Sequence, residues 1–337
     1  MRALTLVLAA GALLWGVTAC NGSQAEDDGA SGTGGAPRIP ASNADRAFFP
    51  PGTQAEQLVE IVREGLSVVE KGPDVTRFVI IRAGDRHGPA YREALYHVVV
   101  GGGVKYPPGT LAVQRNWARS GEIDGDNMEA QTQGISIAVE KGAPTPYPPA
   151  VGDAIAAFCK ALASEAPLHP DCVMGMGEVP YAREWQRAAA EQELAERARL
   201  DVPIPQTDLT LELERNGKSV RVDVELRDTN PGLQTGMMLR RGFDGENRGM
   251  LFVYPHARYL KFFMRNCHIP IDVAYVRKQG RRYVIDEVRT MAPQAGHHGP
   301  FTHYKSRGTS KYALEMPGGW FEKHGWTAGT VVRGLPK

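Results

Sequence analysis

The change of pattern across Val202-Pro203-Ile204-Pro205-Gln206 limits what this chain can fold into more than any other feature. Before it, Tyr181–Leu200 is rich in Ala, Glu and Arg, good helix formers with many i,i+4 charge pairs, and its charge run reads as a solvated face. After it, the stretch from Leu209 to Asp228 alternates apolar and polar residues around Asn216-Gly217, the pattern of two strands joined by a tight turn. A helix, two prolines that stop it and a run of strands predict a boundary here and two folded parts. At 337 residues the chain is long enough to give each part its own core.

Ahead of the boundary, Ala55, Leu58, Val59, Val62, Leu66 and Val69 recur at helical spacing and predict an amphipathic helix over Ala55–Glu70, stopped by Gly72-Pro73. Arg77–Ile81 is β-branched and apolar, as a buried strand requires. Tyr91–Leu95 reads as a short helix, Leu95–Val100 as a strand ending in Gly101-Gly102-Gly103, and Gly134–Glu140 as a third strand. Ala150–Ala163 has a helical composition, and Cys172–Met174 returns to the sheet. Strand, helix, strand, strand, helix, strand indicates an α/β sandwich with a mixed sheet.

The N-terminus carries an address. Met1 and Arg2 give a basic start, Ala3–Val17 an apolar run too short and too rich in small residues for a membrane-spanning helix, and Val17-Thr18-Ala19-Cys20 closes it. This resembles a bacterial lipoprotein signal over residues 1–20, which implies lipidation of Cys20 and a membrane anchor. Asn21 in place of Asp then implies the periplasmic face of the outer membrane, within the cell envelope. Residues 21–50 are poor in apolar residues over most of their length and read as a flexible tether. Of the remaining cysteines, Cys159 and Cys172 could bridge the loop between them, leaving Cys267 free and buried. With 39 basic against 38 acidic residues, no bulk charge favours nucleic acid, and none is expected as a partner.

The stretch Cys172–Gln186, CVMGMGEVPYAREWQ, resembles the closing segment of the zinc-dependent N-acetylmuramoyl-L-alanine amidases and peptidoglycan recognition proteins. RFVIIR, LYHVVVGGG, RNWARSGEIDGDN and QGISIAVEKG resemble earlier segments of that family in the same order, so the resemblance spans about Thr76–Arg187. It implies an α/β amidase-like mixed-sheet domain over residues 51–187, and a cleft for muramyl peptide. At its three zinc-ligand positions stand Arg82, Met176 and Gln186. A guanidinium cannot bind zinc, a thioether is a poor ligand for it, and a lone amide oxygen is weak.

Of the family's catalytic helpers, Tyr96 is retained and Glu184 replaces a Lys or Thr. No cofactor is therefore expected, zinc being implied only for an active amidase. Arg82, Tyr96, Trp117 and Glu122 are the groove candidates, since aromatic faces stack on sugars and Arg pairs with carboxylates; core burial is the alternative for Tyr96 and Trp117. His87, His97 and His169 read as satisfied or solvated imidazoles, His87 and His169 in loops and His97 facing away from Tyr96.

Residues 188–208 form a helical connector. Beyond it, residues 209–337 resemble the family called domain of unknown function 192. The motifs are Thr235-Gly236-Met237-Met238 with Arg240, then Gly249-Met250-Leu251-Phe252, the stretch FFMRNCHIPIDVAYV from Phe262, and Tyr312-Ala313-Leu314-Glu315 with later glycines. Phe263 stands where that family carries Trp, keeping the aromatic volume and losing the indole donor. The resemblance implies a small mainly-β domain with no settled reaction. Met237, Met250 and Met264 could line an adaptable apolar pocket whose polar groups are Asn266, Asp272 and Glu315; core filler and strand-end roles are the alternative. His297, His298 and His303 lie in a Gly- and Pro-rich stretch and read as a solvated loop.

Together these features lead to the expectation of a lipid-anchored envelope protein, non-catalytic, that binds peptidoglycan or muropeptides. An active amidase with a relocated site, and a ligand-binding or assembly module carried by the C-terminal domain, are the alternatives.

Overall fold

The computed structural model describes residues 45–68, 77–82, 93, 96–117, 134–178, 189–294 and 299–337, all within one compact unit, Pro37–Lys337. Cys20, His87, Glu122, Glu184, Gln186, His297 and His298 lie outside them, as does all but Glu93 of the expected helix at Tyr91–Leu95.

The first part runs β1 (Arg46–Phe49), α1 (Ala55–Ser67), β2 (Arg77–Arg82), β3 (Val98–Val100), β4 (Leu111–Gln114), β5 (Gly134–Val139), α2 (Pro149–Glu165), β6 (Leu168–Gly175), a 3₁₀ turn at Met176–Glu178 and α3 (Ala189–Asp201). Its six strands lie in the order β1-β4-β3-β5-β2-β6. The strands β3, β5, β2 and β6 are parallel, while β4 and β1 add antiparallel partners. Phe78 to Ile81 of β2 are all buried, as its uniformly apolar sequence requires. α1 begins with a capping box between Gln54 and Gln57 and lays Leu58, Val62 and Leu66 on the core. Its Gly65 allows the close approach of Trp117, because a Cβ there would sit 2.1 Å from the indole.

Two expectations are corrected here, and one open pairing is decided. The tether was placed through residue 50, yet Arg46–Phe49 forms β1, and the buried Arg46 guanidinium donates to Ala112 O at 2.7 Å and Tyr96 O at 3.0 Å. His169 lies in β6 and not in a loop; β6 is the edge strand and its register slips against β2, which lets it accept Pro170. Cys159 and Cys172 share the core as separate buried thiols, not a bridge, and burial pushes each up to about 12.

The second part runs β7 (Leu209–Arg215), β8 (Lys218–Arg227), α4 (Asn230–Thr235), β9 (Arg248–Phe262), β10 (Ile271–Gln279), β11 (Arg282–Met291), β12 (Tyr304–Pro317), α5 (Trp320–His324) and β13 (Val331–Arg333). The strands close into a barrel in the order β10-β11-β13-β7-β8-β9-β12. Asn216 and Gly217 take φ of 50° and 73° between β7 and β8, the left-handed pair that a two-residue hairpin turn needs. Alternation sorts the apolar residues into two cores. Leu211, Leu213, Val222, Leu251, Ala274 and Leu314 fill the barrel with Trp320 and Phe321. Met250, Phe252, Val273, Tyr275 and Ala313 face outward, under a cover that includes Met237, Met238 and Met264.

The two parts are joined by polar contacts at β6. Asp171 accepts from Arg241 N at 2.7 Å and His169 Nε2 meets Asp244 Oδ2 at 2.5 Å. Glu178 accepts from Gly175 N and from Arg199, each at 2.8 Å, and also pairs with Arg241. Burial opposes its ionisation, but the Gly175 N–H and the two guanidinium groups outweigh it and hold this carboxyl below its ordinary range. Among the described residues, no helix is long and apolar enough to cross a membrane.

Candidate functional site

In open sheets with a parallel core, ligands bind outside the carboxyl ends of the strands. Here β2 and β6 are in register through Ile81 and Gly175, so Arg82 and Met176 follow side by side at that edge. Arg82 is 8 % exposed and donates from Nη1 to the Tyr96 hydroxyl at 3.0 Å. Tyr96 is 1 % exposed and packs with Phe48, Val99, Tyr106, Ala112 and Ala138. Met176 is buried in the main core. The structure thus brings Arg82, Tyr96 and Met176 to one end of the sheet, where a guanidinium, a phenol and a thioether offer no set of zinc donors. Among the described residues, no three His, Cys, Asp or Glu side chains gather as a metal site would need.

Trp117 is not at that edge. It donates from Nε1 to Gln114 O at 2.7 Å and packs against Gly65, His97 and Phe158, so its groove assignment is corrected to a core one. His97 is a satisfied buried imidazole: its Nδ1 lies 3.0 Å from both Ser136 N and Ser136 Oγ. Burial, with the Arg46 charge, lowers it to about 4, so it is neutral at ordinary pH.

One residue of this edge had no role assigned from sequence. Glu140, buried just after β5, accepts backbone N–H groups of Gly102 (3.0 Å), Val104 (3.0 Å), Lys105 and Tyr106 (3.1 Å). It therefore shapes the turn that leaves β3. Its signal in the sequence is an acidic residue ending an apolar strand, which spacing alone cannot pair with a turn so far away.

In the barrel part, a cleft of about 50 Å³ is lined by Met237, Met264 and Glu315, together with Phe252, Tyr254 and Cys267 among others. Val273 is the ladder partner of Glu315, so the carboxyl points to the outer face of the barrel, opposite to Asp272. Glu315 Oε2 is buried and has no hydrogen-bond partner among the described residues. Burial pushes this carboxyl up to about 8, against a smaller opposing effect of the Arg227 charge.

The other three expected pocket residues line no part of the cleft. Met250 is buried beneath it in the same cluster. Asn266, at a left-handed φ of 56°, holds the chain by accepting Leu239 N at its backbone oxygen (2.8 Å). Asp272 accepts from Thr290 Oγ1 at 2.7 Å and from Phe321 N at 3.2 Å, tying a ladder end to the start of α5. Cys267, Phe252 and Tyr254 were missed because only the fold brings Cys267, beyond the end of β9, to the same cleft as residues near the start of that strand.

A larger hollow of about 280 Å³ lies between the parts, against His169, Pro205, Glu225, Arg227 and Arg240. Its charged walls pair with one another. Arg240 grips Glu225 with two bonds, 2.7 and 2.8 Å, and Arg227 adds a third at 3.0 Å. Arg240 also lies 3.9 Å from Met237 Sδ and so fixes the turn that carries Met237.

Residues 211–334 match the family described as uncharacterized ACR, domain of unknown function 192. The match takes in nearly all of β7 to β13, so the barrel is this chain's copy of that domain. Among solved structures, a candidate transcription regulator from Sinorhizobium meliloti 1021 is similar at 22 % identity, over 39 % of this chain and 98 % of its own, with a TM-score of 0.34. A protein of unknown function from Novosphingobium aromaticivorans DSM 12444 is similar at 22 % identity, over 37 % of this chain and 83 % of its own, with a TM-score of 0.32. No curated protein matches the chain.

Proposed function

We propose that this chain is a lipid-anchored protein of the bacterial cell envelope, held by Cys20 at the periplasmic face of the outer membrane. Its α/β part is an amidase-type body that binds peptidoglycan or muropeptides without hydrolysing them. The observation that carries the reading is the pairing of Arg82 with Tyr96 at 3.0 Å, beside Met176, at the two strand ends where the amidase resemblance requires zinc ligands. Without a metal to polarise the amide and activate water, a retained tyrosine does not restore hydrolysis. A muropeptide would meet the strand end at Arg82, where a guanidinium suits the peptide carboxylates; Glu122, the other charged groove candidate, lies outside the described residues.

The test is sedimentation of the chain lacking residues 1–20 with purified peptidoglycan. Saturable co-sedimentation that muropeptides compete away is expected, and it should weaken on Arg82→Gln. Recovery of all the protein in the supernatant at every peptidoglycan concentration would sink the binding claim.

A second reading has its own observation. The cleft that gathers Met237, Met264 and Glu315, whose buried Oε2 has no partner among the described residues, supports a small-ligand function in the barrel part.

A further inference from the structure

We propose that the cleft walled by Met237, Phe252, Phe262 and Met264 binds a small uncharged organic molecule, an amide or alcohol of a few heavy atoms, whose polar group accepts a hydrogen bond from Glu315. The proposal rests on the second reading above and adds the chemical class of the ligand.

Four observations lead to it. A buried carboxyl oxygen without a partner is costly, and a ligand acceptor placed against the acid would remove that cost. The remaining walls are aromatic rings and methionines, apolar and able to adapt to different shapes. The volume, about 50 Å³, is well below the ~150 Å³ of a cavity that holds benzene, which restricts the ligand to a few atoms.

Charge decides the rest. Of the basic residues nearby, Lys261 lines the cleft, while Arg240, 3.9 Å from Met237 Sδ, is held by Glu225. An ionised ligand of either sign would lose its hydration against these largely apolar walls, and a cation would in addition face Lys261. Apart from burial, Glu315 feels the Arg227 charge from β8, and its own charge in turn acts on Tyr254 of β9, Tyr275 of β10 and Cys267 beyond β9. Burial raises both phenols and the thiol, so they stay neutral near pH 7, and Glu315 keeps its proton there as a donor.

The experiment is a methyl NMR titration of the full chain, labelled at its methionines, with propionamide, propylammonium and propionate as size-matched probes. It is run below and above the Glu315 transition at about pH 8. Propionamide is expected to move the Met237 and Met264 methyls saturably, at millimolar concentration, on the acid side, and to bind about tenfold more weakly on the alkaline side. Glu315→Gln, which keeps a donor, should bind propionamide equally at both pH values. Glu315→Leu, checked for unchanged methyl dispersion elsewhere, should lose it by about tenfold or more. No saturable shift with any probe would overturn both the ligand reading of the cleft and the proposal. Saturation led by propylammonium or propionate would keep the ligand reading and overturn the proposal, as would binding by Glu315→Leu as tight as wild type.

Discussion

Arg240→Met is expected to remove about 3–5 kcal/mol of folding stability at neutral pH. Glu225 is 6 % exposed and its two oxygens take 2.7 and 2.8 Å bonds from Arg240. Burial alone would raise this carboxyl, but the Arg240 hydrogen bonds and charge, helped by Arg227, reverse the effect and hold it at about 2. Among the described residues, removing Arg240 leaves a buried carboxylate with Arg227, at 3.0 Å, as its remaining hydrogen-bond partner.

The pH dependence follows from the sign of that shift. A carboxyl depressed from 4.5 to about 2 contributes stability above its unfolded value and loses it as the pH falls through the folded one. The deficit of Arg240→Met should therefore be largest near pH 7 and shrink below pH 4.5. Urea denaturation across that range measures it. Adding Glu225→Gln to the variant should recover part of the loss, because the uncompensated charge is gone. A deficit under about 1 kcal/mol at pH 7 would mean that the pair is solvated and does not fix the turn bearing Met237.

Trp117→Ala is the second large effect, about 3–5 kcal/mol, the usual result of emptying a buried aromatic site. The ring is 1 % exposed, its N–H is satisfied by Gln114 O at 2.7 Å, and α1 approaches it through Gly65 with no space for a methyl group. Trp117→Phe should lose a smaller part, chiefly the hydrogen bond and the outer ring. A groove tryptophan would behave in the opposite way, losing muropeptide binding with little change in the unfolding midpoint. Urea denaturation beside the sedimentation assay separates the two.

Much of the framework could be read from the chain. RFVIIR announced β2 because a strand covered on both faces is apolar throughout, and Asn216-Gly217 announced its hairpin because few residues accept two consecutive positive φ angles. Four-residue strands could not be read the same way. Leu111–Gln114 is too short to show a period, and Arg46–Phe49 becomes a strand only through its pairing with β4 and the bonds of Arg46. The polar residues were harder still. Glu315 and Asp272 looked alike in sequence, but neighbouring ladder positions send one to the outer cleft and the other to the barrel end. Trp117 and Tyr96 both suggested a sugar-binding face, and only the packing of α1 and the sheet shows that both are covered.

The central claim is that Arg82 and Met176 occupy the places of metal ligands in a body that no longer carries out hydrolysis. The most direct measurement is the zinc content and muropeptide hydrolysis of two dialysed proteins, the wild type and the triple variant Arg82→His, Met176→His, Gln186→Asp. The account predicts zinc-free, inactive wild type and stoichiometric zinc in the variant. Stoichiometric zinc with release of peptide by the wild type would contradict it, and so would a folded triple variant that binds no zinc.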